Sequence, residues 1–532
     1  MKIIYTVFAF ILISASSLFA QDPSVKWQKC LGGIRDDFGH SMIKTSEGGY
    51  ILAGETYSYD GDVNGNHPDG HSDFWVVKLN SLGNIEWQKC LGGNEEDGAY
   101  SVIQTSDGGY AVAGYTRSDS GDVIGKHGVT DIWVVKLNTV GDIVWQKCLG
   151  GSSNEIASSL IQTLDGGFAL TGYTTSSDGD VDSLHNVSID SPEAWVVKLT
   201  SDGHIQWQRP LGGSGRDFGE CIVQTADSGF VIAGSTNSTN GDVIGLHGST
   251  DGWLVKLSLV GDIVWQKCIG GDSGDYFDNI IKTNDGGFVV TGTTNRFGTT
   301  WDDEHGDLWV LKLDSVGSTE WQKVVTGNKG DFGMAVTQSI DGGYIVCGMT
   351  NSDNEDMGNH GSSDILAVKL SAQGDIEWSK CYGGSEYEYP FSNIIQNDNG
   401  SIVIAGSTRS QNGDVSGRHG ITINYDFWIA ELSTPESVDE SISPLHSLSL
   451  STYPNPASKS ITLRYTLPAI SFDVTISIID VNGKQIREQH QANVMQGSNE
   501  VALDVSELSE GTYYVSVSAD RISEAAAVQV VK

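Results

Sequence analysis

Short runs of β-branched and aromatic residues, bounded by Gly, Asp or Asn, recur from residue 25 to residue 432. In the second copy of the repeat these runs are SVIQT, YAVAGYT, DIWVVKL and DIVWQKC, and each has strand character. The Trp of a W-Q-K or similar motif falls at positions 27, 87, 145, 207, 265, 321 and 378, a period of 56 to 62 residues. Seven copies at this period predict an all-β fold, a seven-bladed β-propeller with four strands in each blade.

The turns between these runs indicate where one blade ends. Turns such as SDGG join the first and second runs, and four-residue turns such as NTVG join the third and fourth. A turn that short cannot cross a blade, whose inner and outer strands lie about 14 Å apart. The blade boundary therefore falls in the longer LGGNEEDGAY segment, and the W-Q-K strand is outermost. The last copy lacks this strand, so we predict that residues 25–30 pair beside 426–432 and complete blade seven.

Two residue types recur inside the strands. The third strand carries Trp75, Trp133, Trp195, Trp253, Trp309 and Trp428, with Leu366 in the sixth copy. A regular Trp series in strands favours a blade core over a carbohydrate-stacking platform. Five of the seven cysteines share one repeat position, namely Cys30, Cys90, Cys148, Cys268 and Cys381. Equivalent positions of neighbouring blades lie too far apart for disulfides, so these are predicted to be unpaired, half-buried thiols.

Charge and the N-terminus limit the partners and the location. Lys and Arg number 31 against 68 Asp and Glu, a formal charge of −37, so nucleic acid and anionic membranes are repelled. Residues 1–20 have one Lys, an apolar run and small residues at the end, which predicts a secretory signal peptide. The alternative is a single-pass anchor. No later stretch is long and apolar enough to span a bilayer, so no transmembrane segment is predicted in the mature protein.

An acidic residue stands in every segment that crosses from one blade to the next, four residues after the second Gly of an L-G-G-like motif. The seven are Asp37, Asp97, Glu155, Asp217, Asp275, Asp331 and Glu388. Each precedes an innermost strand, so we expect them near the rim of the central channel. One interpretation is that each accepts backbone N–H bonds and holds its own turn. The other is an acidic ring that binds a cation such as calcium or a cationic ligand; no other cofactor is predicted.

The long loops between second and third strands, on the same face as the crossings, combine Asp and His. The histidines are His67, His127, His185, His247, His305, His360 and His419, and an acid stands two residues before each position of the Trp series. One His and one or two Asp per loop fall short of a zinc site, and we expect loops of different blades to diverge. A locally bonded Asx and His turn is therefore favoured, and the metal content stays undetermined.

The chain after residue 432 has a different pattern. Residues 433–450 are rich in Ser and Glu and predict a linker. Alternating runs from 451 to 532 predict a small antiparallel β-sandwich. Four features resemble the type A C-terminal sorting domain of Bacteroidota type IX secretion cargo: the Tyr453–Pro456 entry, the IIDVNGKQI hairpin, the LSEGTYY segment and the basic end at Lys532. The candidate motif residues are Pro454, Asn455, Pro456, Asn482, Gly483, Lys484, Gly511 and Tyr513.

This resemblance implies export through the type IX machinery, removal of the domain, and release or attachment at the cell surface. The repeats of residues 21–432 are similar to the Trp-Gly-Gly propeller repeats of such cargo, a resemblance that assigns no functional residue. The symmetric loop face favours a non-catalytic binding or adhesion module with a surface glycan or protein as ligand. The alternative is an extracellular polysaccharide hydrolase or lyase, built from residues that depart from the repeat, namely Arg216, Arg296, Trp301 and Lys329.

Overall fold

The computed structural model describes residues 23–67, 70–182, 184–185, 191–294, 306–353, 358–420, 423–433, 449–467, 471–481, 484–494, 497–519 and 522–532. The chain forms two compact units, which divide between residues 435 and 436. The predicted signal peptide at 1–20 lies outside the described residues, as does most of the predicted linker. Within the described ranges no helix is long and apolar enough to cross a membrane.

The first unit consists of seven antiparallel sheets. Its strands are β1 (Val25–Leu31), β2 (Asp37–Lys44), β3 (Tyr50–Thr56), β4 (Asp73–Leu79), β5 (Ile85–Leu91), β6 (Asp97–Gln104), β7 (Tyr110–Thr116), β8 (Asp131–Leu137), β9 (Ile143–Leu149), β10 (Glu155–Gln162), β11 (Phe168–Thr174), β12 (Glu193–Leu199), β13 (Ile205–Leu211), β14 (Asp217–Gln224), β15 (Phe230–Thr236), β16 (Asp251–Leu257), β17 (Ile263–Ile269), β18 (Asp275–Lys282), β19 (Phe288–Thr294), β20 (Asp307–Leu313), β21 (Thr319–Val325), β22 (Asp331–Gln338), β23 (Tyr344–Thr350), β24 (Asp364–Leu370), β25 (Ile376–Tyr382), β26 (Glu388–Pro390), β27 (Ile395–Gln396), β28 (Ile402–Thr408) and β29 (Asp426–Leu432).

The sheets confirm the predicted blades and their closure. Blade one is β2-β3-β4-β5, and blades two to six repeat this order. Blade seven has the order β1-β29-β28-β26, so the N-terminal strand is its outermost strand. Residues Gln28 and Cys30 lie opposite Ala430 and Trp428 in an antiparallel register. Pairing the first strand of the repeat region with the last leaves no open blade at the point where the repeats begin and end.

The tryptophan series forms the blade cores, as predicted. Trp133 is fully buried in β8, and its indole Nε1 donates to Gln146 Oε1 of the outer strand at 2.7 Å. The Gln146 amide in turn donates to the Ile124 carbonyl of the long loop at 3.0 Å. The same indole-to-glutamine bond occurs in every blade that has the tryptophan. In blade six, Leu366 replaces the tryptophan and Ser379 stands where the glutamine would be, so both partners change together.

A buried lysine near the end of the third strand of blades one to six was missed from the sequence. In blade three the Lys198 side chain is 1% exposed, and its Nζ lies 3.0 Å from Asp165 of the first hairpin turn. Lys198 Nζ also donates to the Leu199 carbonyl at 3.0 Å, which satisfies the buried cation. Blade seven reverses the charges: Glu431 occupies the lysine position and accepts from Lys26 of β1 at 3.1 Å. The closing strand is thus matched to blade seven by charge.

Blade seven has an interrupted inner strand, split into β26 and β27. Pro390 ends β26, because proline has no N–H to continue the ladder. Phe391 packs against Gly39 of blade one. An added Cβ on Gly39 would lie only 1.9 Å from the Phe391 ring. Ser392 then donates to the His40 carbonyl at 2.9 Å and accepts from the Asn279 amide at 3.0 Å. This segment therefore links blade seven to blades one and five.

The cysteines agree with the sequence interpretation. All seven are free thiols, and three of the five repeat-position cysteines are buried while Cys90 and Cys268 are partly exposed. Burial raises the pKa of the Cys148 and Cys268 thiols to about 12, with nearby carboxylates adding to the effect. These thiols are protonated at neutral pH, which makes them poor nucleophiles.

The C-terminal unit contains two antiparallel sheets, confirming a small β-sandwich. Its strands are β30 (Ser449–Tyr453), β31 (Ser460–Leu467), β32 (Ser471–Asp480), β33 (Gln485–Val494), β34 (Gly497–Asp504), β35 (Gly511–Ala519) and β36 (Ile522–Val530). The sheet orders are β30-β31-β34 and β33-β32-β35-β36. Ile461 and Leu463 of the first sheet share one buried cluster with Ile476, Val515 and Val517 of the second.

Candidate functional site

The seven crossing acids are all buried at the first residue of an inner strand. Asp97 shows the arrangement: its Oδ2 accepts from the Gly93 N–H at 2.9 Å and from Ser118 Oγ at 2.8 Å. Corresponding backbone bonds reach Asp37, Glu155, Asp217, Asp275 and Glu388 at 2.7 to 2.9 Å. These are the contacts that the turn-holding interpretation requires. Cation binding by the acidic ring stays a prediction.

Burial changes the ionisation of several of these acids. It raises the pKa of Asp37 to about 7 and of Asp97 and Asp331 to about 6, although hydrogen bonds from Thr, Ser and Gly oppose the shift. The pKa values of Glu155, Asp217 and Glu388 are raised for the same reason. Near pH 6 Asp37, Asp97 and Asp331 are therefore protonated in part, which weakens the attraction of these three carboxyl groups for a cation.

The L-G-G motif allows two carboxyl groups to approach each other. An added Cβ on Gly92 would lie 2.3 Å from Asp73 Oδ1 of blade one and 2.5 Å from Asp97 Oδ2 of blade two. A side chain at this position would therefore displace one of two buried acids. The acid before the Trp series and the crossing acid of the next blade form a pair around this glycine.

Each described member of the predicted histidine series binds the acid of its own blade. The Nδ1-to-carboxylate distances are 2.7 Å for His67–Asp73, 3.0 Å for His127–Asp131, 2.9 Å for His185–Glu193, 2.8 Å for His247–Asp251, 2.7 Å for His360–Asp364 and 2.8 Å for His419–Asp426. In each case the histidine backbone N–H donates to the same carboxylate. His305 lies outside the described residues.

The expectation that loops of different blades diverge is wrong in two places. His185 Nε2 lies 3.8 Å from Asp242 of blade four, and His419 Nε2 lies 3.8 Å from Asp62 of blade one. The aspartate of the long loop also bonds to the crossing of its own blade. In blade one, the Gly32 N–H of the L-G-G motif donates to the Asp62 carboxylate at 3.3 Å, which holds this loop close to the crossing. Across the described residues, no group of three or more His, Cys, Asp or Glu is arranged to hold a metal ion.

The copies differ from one another at an inner rim, which we define by two positions in each blade. The first is the residue before the crossing acid: Asp36, Glu96, Asn154, Arg216, Gly274, Gly330 and Tyr387. The second follows the second strand: Tyr57, Arg117, Thr175, Asn237, Asn351 and Arg409 among the described residues. In the six blades whose second position is described, that residue donates its backbone N–H to the carbonyl of the first position, at 2.9 to 3.0 Å. Variable side chains therefore stand next to the invariant acids.

Two of the four residues named as departures from the repeat can be placed. Arg216 is an exposed residue of the inner rim. Lys329 pairs with Asp353 at 2.8 Å on the surface. Arg296 and Trp301 lie outside the described residues.

The inner rim carries two distinctive sectors. In blade seven, Tyr387 and Tyr389 are partly exposed, with rings 6.4 Å apart and nearly parallel. Arg409 lies over the Tyr425 ring, 4.1 Å from its centre. In blades two to four, a cavity of about 410 Å³ opens between Arg117 and Arg216. Aligning the copies at the residue before each crossing acid would have revealed both sectors, because that position varies beside an invariant one.

A second asymmetric set, also missed, lies on the inner strands. Each inner strand of blades one to six has a register irregularity at its fourth residue: His40, Tyr100, Ser158, Glu220, Asp278 and Met334. Neighbouring members interact, since the His40 and Tyr100 rings are 4.6 Å apart and the charge of Glu220 acts on Asp278. Burial, aided by Glu220, raises the pKa of Asp278 to about 8, and burial lowers that of His40 to about 4.

The proposed sorting motif has one residue that joins separate strands. Asn455 donates its amide to the Ala527 carbonyl at 2.9 Å and accepts from the Gln529 N–H at 2.8 Å. Lys484 closes a turn with Asp480, and Tyr513 donates to the Ser509 carbonyl at 3.1 Å. Gly511 begins β35, and Pro454 and Pro456 flank Asn455. Asn482 and Gly483 lie outside the described residues.

Residues 451–531 match the family model described as the secretion system C-terminal sorting domain. The chain is a type IX secretion cargo with a propeller. This sorting domain indicates secretion or surface attachment and interaction with the secretion machinery.

Similarity elsewhere is weak. The regulatory protein FlaEY of Caulobacter vibrioides is 28% identical over 175 residues, which are 30% of this chain and 17% of that protein. The structure of Sqt1 from Chaetomium thermophilum is 12% identical, with a TM-score of 0.39 over 72% of this chain and 82% of that one. The structure of PorZ, a surface component of the type IX secretion system of Porphyromonas gingivalis, is 11% identical, with a TM-score of 0.33 over 87% and 63% of the two chains.

Proposed function

We propose that the propeller is a non-catalytic binding or adhesion module that holds a surface glycan or protein at its inner rim. The supporting observation is that the repeated polar residues and the variable polar residues occupy different environments. Crossing acids and loop histidines, which repeat, are bonded within the frame of the blades. The rim residues, which differ between blades, are where one ligand can be distinguished from another. Catalysis usually requires unlike groups in fixed roles, and the repeated loop residues do not supply them.

The tyrosine sector suits such a ligand. Tyr387 and Tyr389 are 38% and 42% exposed, and nearly parallel rings present flat apolar surfaces beside polar hydroxyl groups. Rigid aromatic side chains supply contact area at a low cost in conformational entropy. After export, the module would act as a released protein or as one attached to the cell surface.

An extracellular polysaccharide-active enzyme is a second candidate, and the Glu220–Asp278 pair favours it. Both carboxyl groups have raised pKa values because they are buried, and the charge of Glu220 raises the pKa of Asp278 further. A protonated carboxyl beside a second carboxyl is the pairing that glycoside hydrolysis uses. An enzyme of this kind would lose its activity in Glu220→Gln and Asp278→Asn variants.

A glycan array combined with product analysis tests the proposed function. The purified full-length protein should bind a subset of glycans, and mass spectrometry after prolonged incubation should show those glycans intact. Tyr389→Ala should weaken binding if the ligand contacts the tyrosine sector. The binding role is contradicted if the protein shortens a polysaccharide and the Asp278→Asn variant does not.

A further inference from the structure

The cavity in blades two to four combines positive charge with aromatic surface. It measures about 410 Å³, within the usual range of small-ligand sites, and is bordered by Arg117, Arg216, Tyr173 and Phe218. The Tyr173 and Phe218 rings come from neighbouring blades and meet edge to face, 5.5 Å apart. This sector therefore presents two guanidinium groups in a protein whose formal charge is −37.

Arg117 is held in place from one side. Its Nη1 donates to Glu96, and its Nε donates to Thr130 at 3.4 Å. These bonds use two of the five N–H groups of a guanidinium, so three stay available to a ligand. The side chain is 49% exposed, so a ligand can reach it. The Glu96 carboxylate offsets part of the charge and orients the guanidinium.

Arg216 is the second arginine of the cavity, and it lies in the crossing that leads into blade four. Its backbone N–H donates to Asn237 Oδ1 at 2.6 Å, which fixes the turn that carries it, and the residue is exposed. Asn154 and Thr175 lie between the two arginines and border the same cavity. Their amide and hydroxyl groups add hydrogen-bonding capacity of both kinds between the two positive charges.

We infer that this cavity binds an acidic saccharide, a sugar ring that carries a carboxylate or a sulfate. Guanidinium groups bind both anions through paired N–H donors. Tyr173 and Phe218 supply aromatic surface for the apolar face of a sugar, while Asn154 and Thr175 bond to its hydroxyl groups. The inference rests on the proposed binding role, since it names the ligand class for one sector of the inner rim.

Net repulsion between the protein and an anionic glycan does not prevent this contact. At physiological ionic strength, charges on the surface are screened beyond about 8 Å. The two arginines act within that distance, whereas most of the 68 acidic residues of the chain lie outside the cavity. Binding should therefore weaken at low salt, opposite to the usual behaviour of an anion site on a basic protein.

Isothermal titration calorimetry with the full-length protein tests the inference. The probes are tetragalacturonate, a sulfated tetrasaccharide and neutral cellotetraose, each in 0.15 M NaCl. At least one acidic probe should bind ten times or more tighter than cellotetraose, and the two acidic arms distinguish carboxylate from sulfate. Arg216→Gln and Arg117→Gln should each weaken that binding about tenfold.

Arg35→Gln is the matched control, because Arg35 lies in the equivalent crossing of blade one and outside the cavity. Its affinity should stay within twofold of the parent. The inference is overturned if neither acidic probe binds, if cellotetraose binds equally well, or if Arg216→Gln behaves like Arg35→Gln. If another glycan on the array binds, and its binding is weakened by Tyr389→Ala, the binding role still holds. Cleavage of a probe would instead refute the non-catalytic binding role. The affinities of the Arg117→Gln and Arg216→Gln variants would then still decide whether the acidic saccharide binds in this cavity.

Discussion

Reversing the charge of Lys26 should open the propeller at its closing strand. Lys26 Nζ lies 3.1 Å from Glu431, whose side chain is 7% exposed, while that of Lys26 is 55% exposed. At an effective dielectric constant of 20 the attraction is about 5 kcal/mol before desolvation and side-chain entropy are subtracted. Exposed pairs retain roughly 0.2–1 kcal/mol, and breaking a buried pair costs roughly 3–5 kcal/mol. This half-exposed pair should lie between these limits.

We expect Lys26→Glu to lower the free energy of unfolding by about 2 kcal/mol, because it places two carboxylates together. Glu431→Lys should cost somewhat more, since Glu431 also accepts from the Trp27 indole. The double variant Lys26→Glu/Glu431→Lys restores an ion pair like those of the other blades and should recover most of the loss. Urea unfolding followed by the fluorescence of the 14 tryptophans measures all three variants.

Lys29→Glu is the control, because Lys29 lies on the same strand and has no ion-pair partner among the described side chains. It makes the same change in net charge and should cost less than about 0.5 kcal/mol. If the two single losses simply add in the double variant, the ion pair does not specify closure.

Two further results are expected from the same unfolding assay. Gln266→Ala should lower the free energy of unfolding by about 1–3 kcal/mol, because the buried Trp253 indole N–H loses its acceptor at 2.8 Å. Ser379→Ala, at the equivalent position of blade six, should lower it by less than about 0.5 kcal/mol. Equal losses of stability in the two variants would contradict the role of the glutamine. Asp97 has a pKa raised from 3.8 to about 6, so the folded state holds its proton more tightly and stability falls as pH rises between these values, by up to about 3 kcal/mol. Asp97→Asn should remove that loss, and an unchanged stability difference between pH 4 and pH 7 would contradict it.

Repetition made the frame predictable. Strand bounds, the position of the blade boundary and the closure by β1 follow from hairpin turns and a missing strand, which depend on neighbouring residues in the chain. The tryptophan core follows from its fixed place in the third strand. The charge reversal between Lys26 and Glu431 was also visible in the copies, although it can be interpreted only when the first and last strands of the repeat region are paired.

The rest depends on contacts between blades, which no single copy encodes. The cavity near Arg216 needs Arg117 from two blades earlier, and it is bordered by Tyr173 and Phe218, whose rings meet across two neighbouring blades. The 3.8 Å approach of His419 to Asp62 joins residues far apart in sequence. The raised pKa of Asp278 depends on Glu220 and on burial, neither of which follows from composition. Comparing the copies at positions where they differ identifies candidate site residues. Which of these residues contact each other is decided by the packing of the blades.

Hydrogen–deuterium exchange with and without a bound oligosaccharide tests the central claim that the inner rim is the ligand surface. With an acidic oligosaccharide bound, peptides covering residues 94–98, 153–157 and 214–218 should exchange more slowly. The outer strands, such as β9 and β13, and the hairpin turns on the opposite face should be unchanged. Protection confined to the outer strands or to the opposite face would contradict the account.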